Sequence, residues 1–257
     1  MVEDFFRQLS FPKFWFFLAV MNLTRYYLIA GLIYFSVWKG YFNPFHWRAH
    51  NPAGFDSKNI PKEILLSFVT LTTSPLAAAF VLKFKPQFFQ VYYDISEYGI
   101  AWYLGSFGLC LVLHDTWFYW VHRLLHTPRL FKLMHKRHHD FHYPSPFAGL
   151  ALDYGEAVVH SFFLAVLTFF IPLHIHVIMA IFVFLSVTSI YGHMGFDIFK
   201  PRKSQWGISK VLCLSPNVHG NHHLQYKGNF ALYFKTWDYL MGTSIGGIQQ
   251  GTRSKNV

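Results

Sequence analysis

Charge is scarce in this chain of 257 residues: Asp, Glu, Lys and Arg make up only 13%, against 53% hydrophobic residues. An ordinary globular chain carries about 25% charged residues, so a water-soluble unit is excluded as the first reading and a membrane-embedded one takes its place. Cysteine is scarcer still. Cys110 and Cys213 are the two present, which leaves no disulfide framework and no Cys-x-x-Cys metal or redox motif. Acidic residues number 12, and no His-Glu-x-x-His segment occurs, which removes the zinc hydrolase pattern with its glutamate base. The formal charge of +10 is spread through aromatic, apolar surroundings without a nucleic-acid motif. Anionic lipid headgroups of a bilayer, and not nucleic acid, are the expected counter-charge.

Apolar stretches near 14–38, 63–82, 100–121, 156–171 and 177–193 approach the length of about 20 helical residues that spans a bilayer. They predict an all-α integral membrane bundle of about four to five transmembrane helices, a single domain over 1–257. Pro172 ends the fourth stretch and makes the last two a tight hairpin. If all five span, the side after spans one, three and five holds 17 of the 22 Lys and Arg, and the other side holds Arg7, Lys13, Lys83 and Lys85. The positive-inside rule then places the richer side in the cytoplasm, as a helical cap, with the N-terminus outside. The first apolar run has no small-residue cleavage site and reads as a retained span.

Histidine is what the chain has in quantity, 16 in all. Three clusters stand out: His122 and His126, then His135, His138 and His139, then His219, His222 and His223. Spacings of three and four put imidazoles on one helix face, so each cluster can aim its rings at a common point. Eight nitrogen ligands exceed the roughly four to six that one first-row ion takes, and imidazole suits Fe, Zn, Cu and Ni. The arithmetic asks for two ions. Clusters without carboxylates favour redox chemistry on O2 over hydrolysis, with an apolar wall protecting the oxidant from water. Asp115, seven residues before His122 on the same face, is expected to support a ligand imidazole from outside.

The run Asp115-Thr-Trp-Phe-Tyr119-Trp120-Val-His122-Arg123-Leu-Leu-His126, the later boxes and the tail Asn229 to Thr243 with Trp237-Asp238 and Gly242 resemble the fatty acid hydroxylase and sterol desaturase superfamily. The resemblance covers about 115–243. It implies an integral membrane non-haem di-iron oxygenase, binding two Fe ions that Zn can replace in purified protein, with O2 as co-substrate and a lipid as substrate. It also implies an external electron donor, such as cytochrome b5 or a ferredoxin with its reductase, since no haem domain is fused here. Carried over by position, the eight box histidines correspond to ligands, and His193 in Gly192-His193-Met-Gly-Phe-Asp197 matches a further one. Sterol-modifying relatives have a His-Pro pair shortly after a segment such as Pro146-Phe147; this chain has Asp153-Tyr-Gly-Glu156 instead. Asp153 as a carboxylate ligand, a lost ligand, and a shifted alignment with His160 all remain open.

His46, His50, His114, His174 and His176 read as interface, packing or far-side residues, while His142 and His160 stand close enough to the boxes to support a ligand from outside, though their spacing does not require it. The expected activity is lipid hydroxylation, with desaturation as the nearest alternative at the same centre. A membrane metal transporter would distribute its histidines across the membrane depth, and haem ligation would need paired histidines from two spans at matched depth. Both the endoplasmic reticulum and a bacterial inner membrane fit the composition.

Overall fold

The computed structural model describes residues 8–38, 48–49, 57–84, 87–197 and 215–247. His46, His50 and Cys213 lie outside them. Five long helices form the body: α1 (Phe11–Ile33), α2 (Ile60–Lys83), α3 (Gly99–Leu125), α6 (Tyr154–Phe170) and α7 (Ile175–His193). Two short helices, α4 (Pro128–Met134) and α5 (Lys136–His139), follow α3, and α8 (Pro216–Gln225) and α9 (Thr236–Leu240) close the described chain. Prolines at the starts of α1, α2, α4 and α8 sit where a missing N–H is harmless.

Side-chain bonds fix how the long helices lie. Trp15 Nε1 donates to Thr72 O (2.9 Å), Asn22 Nδ2 to Leu71 O (3.2 Å) and Tyr27 Oη to Ile64 O (2.8 Å), so α1 and α2 run antiparallel. The next three alternate likewise. At one end, β2 (Val91–Tyr92) pairs in parallel with β3 (Leu173–His174), in register Val91 with Leu173, and Trp102 at the start of α3 donates to Pro172 O (2.9 Å). A core of Val81, Val91, Cys110, Phe163, Leu173 and Ile178 fills this end. Toward the other end, Tyr26 Oη accepts from Leu150 N (3.0 Å) and donates to Phe147 O (3.0 Å), stapling the loop before α6 to α1. Gly149 passes so close to α7 that a Cβ would lie 2.8 Å from the Ser189 carbonyl carbon. A second short ladder, β1 (Arg48–Ala49) with β4 (Phe196–Asp197), is antiparallel.

Among the described residues, three helices are long and apolar enough to cross a membrane: Phe11–Ser36, Ser57–Lys83 and Ile175–His193. The all-α membrane bundle is therefore what the chain forms. Of the two further stretches, Tyr154–Phe170 is apolar but has 17 residues, about 26 Å at 1.5 Å per residue against a core of about 30 Å. Gly99–Leu125 has the length, 27 residues, but Asp115, His114, His122 and Arg123 dilute its apolarity.

Candidate metal centre

The end where α3 and α7 finish and α6 begins gathers the histidines. His122 lies in the last turn of α3 and His126 caps it. His135 stands at the junction of α4 and α5, with His138 and His139 on the single turn of α5. His193 ends α7. α8 presents His219, His222 and His223, its start fixed by the Ser215 hydroxyl accepting from Val218 N (3.3 Å). All but His126 are buried.

The rings sort into two groups. His122, His126, His135, His139 and His222 form one, and His138, His193, His219 and His223 the other; within each group one nitrogen per ring lies within 4.8 Å of every other. The groups adjoin, since the His139 and His223 rings stand 4.7 Å apart. All nine candidate histidines are thus brought together; Asp153 and Asp115 are not.

The outer nitrogens decide which ring atoms are free. His122 Nδ1 donates to Phe230 O (2.8 Å), His138 Nδ1 to Ala151 O (3.2 Å), His193 Nδ1 to Ser189 O (2.8 Å) and His222 Nδ1 to Gly228 O (2.7 Å). His135 Nδ1 donates to Glu156 Oε2 (2.8 Å). A carbonyl accepts only, so a ring that donates through Nδ1 and is neutral has a bare lone pair on Nε2. Burial away from water favours the neutral ring: it lowers the pKa of His138 to about 3 and of His126 to about 2, with nearby imidazoles adding to the effect. His135, His139, His219, His222 and His223 shift the same way for the same reason.

Where both rings donate outward, as for His122 and His135, the inner contact sets lone pair against lone pair, and a ring such as His139 can donate to at most one of its several neighbours. His122 Nε2 is 3.1 Å from His135 Nε2, His139 Nε2 is 3.1 Å from His126, His135 and His222, and His193 Nε2 is 3.0 Å from His219 and 3.2 Å from His223. Such convergence of imidazole nitrogens in a buried space leaves more lone pairs facing one another than N–H groups can satisfy, which repels unless a cation sits among them. The donor set fits metal ions in both groups.

Asp115 does not reach His122, as its spacing had predicted. Its Oδ1 accepts instead from Tyr233 N (2.7 Å) and Phe234 N (3.2 Å), on the returning C-terminal segment that also bonds His122. That segment supplies the acceptor instead. Asp238 accepts from Phe230 N and Ala231 N (both 2.9 Å) and Thr243 Oγ1 (2.7 Å), fixing the carbonyl that holds His122. Asn229, at φ 58, donates to Val218 O (3.1 Å) and Gly246 O (2.7 Å). A Cβ at Gly228 would collide with the Thr243 carbonyl, so only glycine can bring its own carbonyl to His222. The signals for these were the tail residues Asn229, Asp238 and Thr243.

Asp153 belongs to neither group. Its Oδ2 accepts from Arg137 N (3.0 Å) and its Oδ1 lies 3.5 Å from Arg137 Nε, so it caps the turn bearing His138 and His139. Its own helix receives no side-chain cap bond from it. Glu156, one turn further, is the carboxylate that touches an imidazole. His160 lies 4.0 Å from Glu156 and stacks on Phe118; His114 meets Tyr233 Oη (2.9 Å), His142 meets Tyr226 Oη (2.8 Å), and His174 meets Tyr93 O (3.0 Å) at the far end.

The fatty acid hydroxylase family profile matches residues 107–243, the stretch that carries every cluster. The chain belongs to that family. It is 31% identical over 213 residues to Delta(7)-sterol 5(6)-desaturase ERG3B of Gibberella zeae, covering 82% of this chain and 62% of the relative. It is 28% identical over 233 residues to lathosterol oxidase of Rattus norvegicus, covering 88% and 73%. Methylsterol monooxygenase 1 of Gallus gallus shares 32% over 170 residues, 61% of this chain and 52% of that protein. The chain thus spans less than two thirds of the length of the first of these. No solved structure matches.

Proposed function

We propose that the nine histidines hold two iron ions and that the chain oxidises an unactivated C–H bond of a lipid with O2, by hydroxylation or desaturation. The observation that carries this reading is the convergence of bare imidazole nitrogens in two adjoining groups at the wall of a cavity. His122, His138, His193 and His219 line that cavity beside Phe118 and Phe163. Neutral nitrogen donors leave their ions electrophilic, and iron bound there would supply O2 activation. The chain's own residues place the nitrogens, hold the outer protons of His122, His138, His193 and His222 on carbonyls and that of His135 on Glu156, and wall the reacting carbon off from water with aromatic side chains.

Relatives named for sterol desaturation and for methylsterol monooxygenation support a lipid substrate and leave both outcomes at the same centre. A metal transporter fits less well, since these nine histidines gather at one end of the bundle. Electrons would come from a separate redox protein, such as cytochrome b5 or a ferredoxin with its reductase. Elemental analysis of active protein is expected to give two ions per chain; one strongly bound ion would overturn the reading. Zinc in place of iron would not, because zinc outcompetes iron at nitrogen sites. Product mass separates one added oxygen from two lost hydrogens.

We further propose five spans with the histidines on the cytoplasmic face, in the endoplasmic reticulum or a bacterial inner membrane. The alternating helices and the asymmetry of Lys and Arg support it. In a chain with Cys110 and Cys213 replaced, an impermeant thiol reagent applied to intact cells or sealed vesicles should label Gln90→Cys and Lys132→Cys from opposite sides. Labelling of both from one side would refute this arrangement.

A further inference from the structure

Arg25 lies where a charge is costly. At 1.5 Å per residue it stands about 21 Å from Phe11 and about 12 Å from Ile33 along α1, deep inside a helix long and apolar enough to span a membrane. Arg25 is half-buried, and a guanidinium does not lose its proton, so one partly withdrawn from water in such a place calls for an anion. Among the described residues no carboxylate lies within ion-pair distance of it. Its only hydrogen bond there is to Asn22 Oδ1. Asn22 is in turn fixed from behind, donating through Nδ2 to Leu71 O and Ser74 Oγ, each at 3.2 Å.

The guanidinium is thus oriented but not neutralised. Arg25 Nε is shut away from solvent without a partner, and so is the hydroxyl of Thr70 on the facing helix. Both residues line the cavity of about 140 Å³ that ends at the histidines. Arg25 and Asn22 also line a second cavity of about 500 Å³, which runs on past Phe14, Phe17 and Met179 toward the far end. Ala78, Ile178 and Phe182 are shared by the two. The unsatisfied Arg25 Nε therefore stands where the two spaces share their lining, with the Thr70 hydroxyl in the first of them.

We propose that Arg25, held by Asn22 and flanked by Thr70, recognises an anionic group on the lipid that enters these cavities. The substrate class is then an acidic lipid, bearing a carboxylate or a sulfate or phosphate ester, and the charge it brings neutralises Arg25. This inference rests on the reading of the cavity as the lipid's path to the histidines. The sterols in the relatives' names carry a neutral hydroxyl, so an anion requirement would set this chain apart from them.

Equilibrium binding to the full-length, detergent-purified protein tests it with two matched pairs: palmitate against methyl palmitate, and cholesterol sulfate against cholesterol. The wild type should prefer the anion of at least one pair by tenfold or more, about 1.4 kcal/mol. Arg25→Gln should abolish that preference, and Arg25→Lys, which keeps the charge, should retain part of it. Equal binding within both pairs by the wild type, a comparison that needs no variant to fold, overturns the proposal. So does a preference that survives Arg25→Gln. Metal content is measured on the same samples: an anion preference in wild-type protein without two ions would sink the di-iron reading and leave this one standing.

Discussion

His139→Ala is expected to remove metal from the chain and reduce turnover to background. Its Nε2 lies 3.1 Å from those of His126, His135 and His222, so it is the common neighbour within the first group. Its ring also stands 4.7 Å from His223 of the second. The loss should exceed the roughly 10–100-fold that removal of an outer hydrogen-bond partner costs a metal site. Elemental analysis and product formation check it together. Two ions and near-normal turnover in a folded variant would remove His139 from the ligand set and undo the assignment of five nitrogens to the first group.

A second comparison sets two neighbouring carboxylates against each other. Glu156→Gln is expected to lower metal affinity or activity by about 10–100-fold, because the carboxylate on His135 Nδ1 orients that ring and strengthens it as a donor. Glutamine keeps an acceptor at that place and removes the charge, so a wholly neutral result would assign Glu156 to orientation alone. Asp153→Asn should be far milder, about 1 kcal/mol in stability, the scale of a helix cap, with both ions retained. The reverse ranking, with Asp153→Asn losing metal and Glu156→Gln intact, would restore Asp153 as the candidate ligand. Competition with a chelator, followed on both variants, gives the ranking directly.

The histidines were legible because their spacing is local: rings three or four residues apart share a face whatever the rest of the chain does. His193 was legible only through the family resemblance, since nothing near it in sequence repeats the pattern. What stayed hidden depends on distant approach. The acceptors on His122 and His222 are the backbone carbonyls of Phe230 and Gly228, and backbone has no residue type to read. Asp115 was assigned to an imidazole on helical spacing, but the tail from Tyr233 to Phe234 took its oxygen. Asp153 and Glu156 are three apart and equal in charge; which one turns inward depended on Arg137 claiming the first. The helix count was readable from apolar runs. The two short ladders were not, because two residues carry no period.

The C-terminal segment both donates imidazoles and props up others. His219, His222 and His223 come from it, and so do the carbonyls behind His122 and His222, more than a hundred residues after α3 begins. A ribosome makes that segment after α1 to α7. His122 therefore lacks its acceptor, and each group lacks part of its rings, until that segment exists, so either site could be completed only after α1 to α7 have been made. An ion held in either group would then work as a rivet joining α8 to the part of the chain made before it.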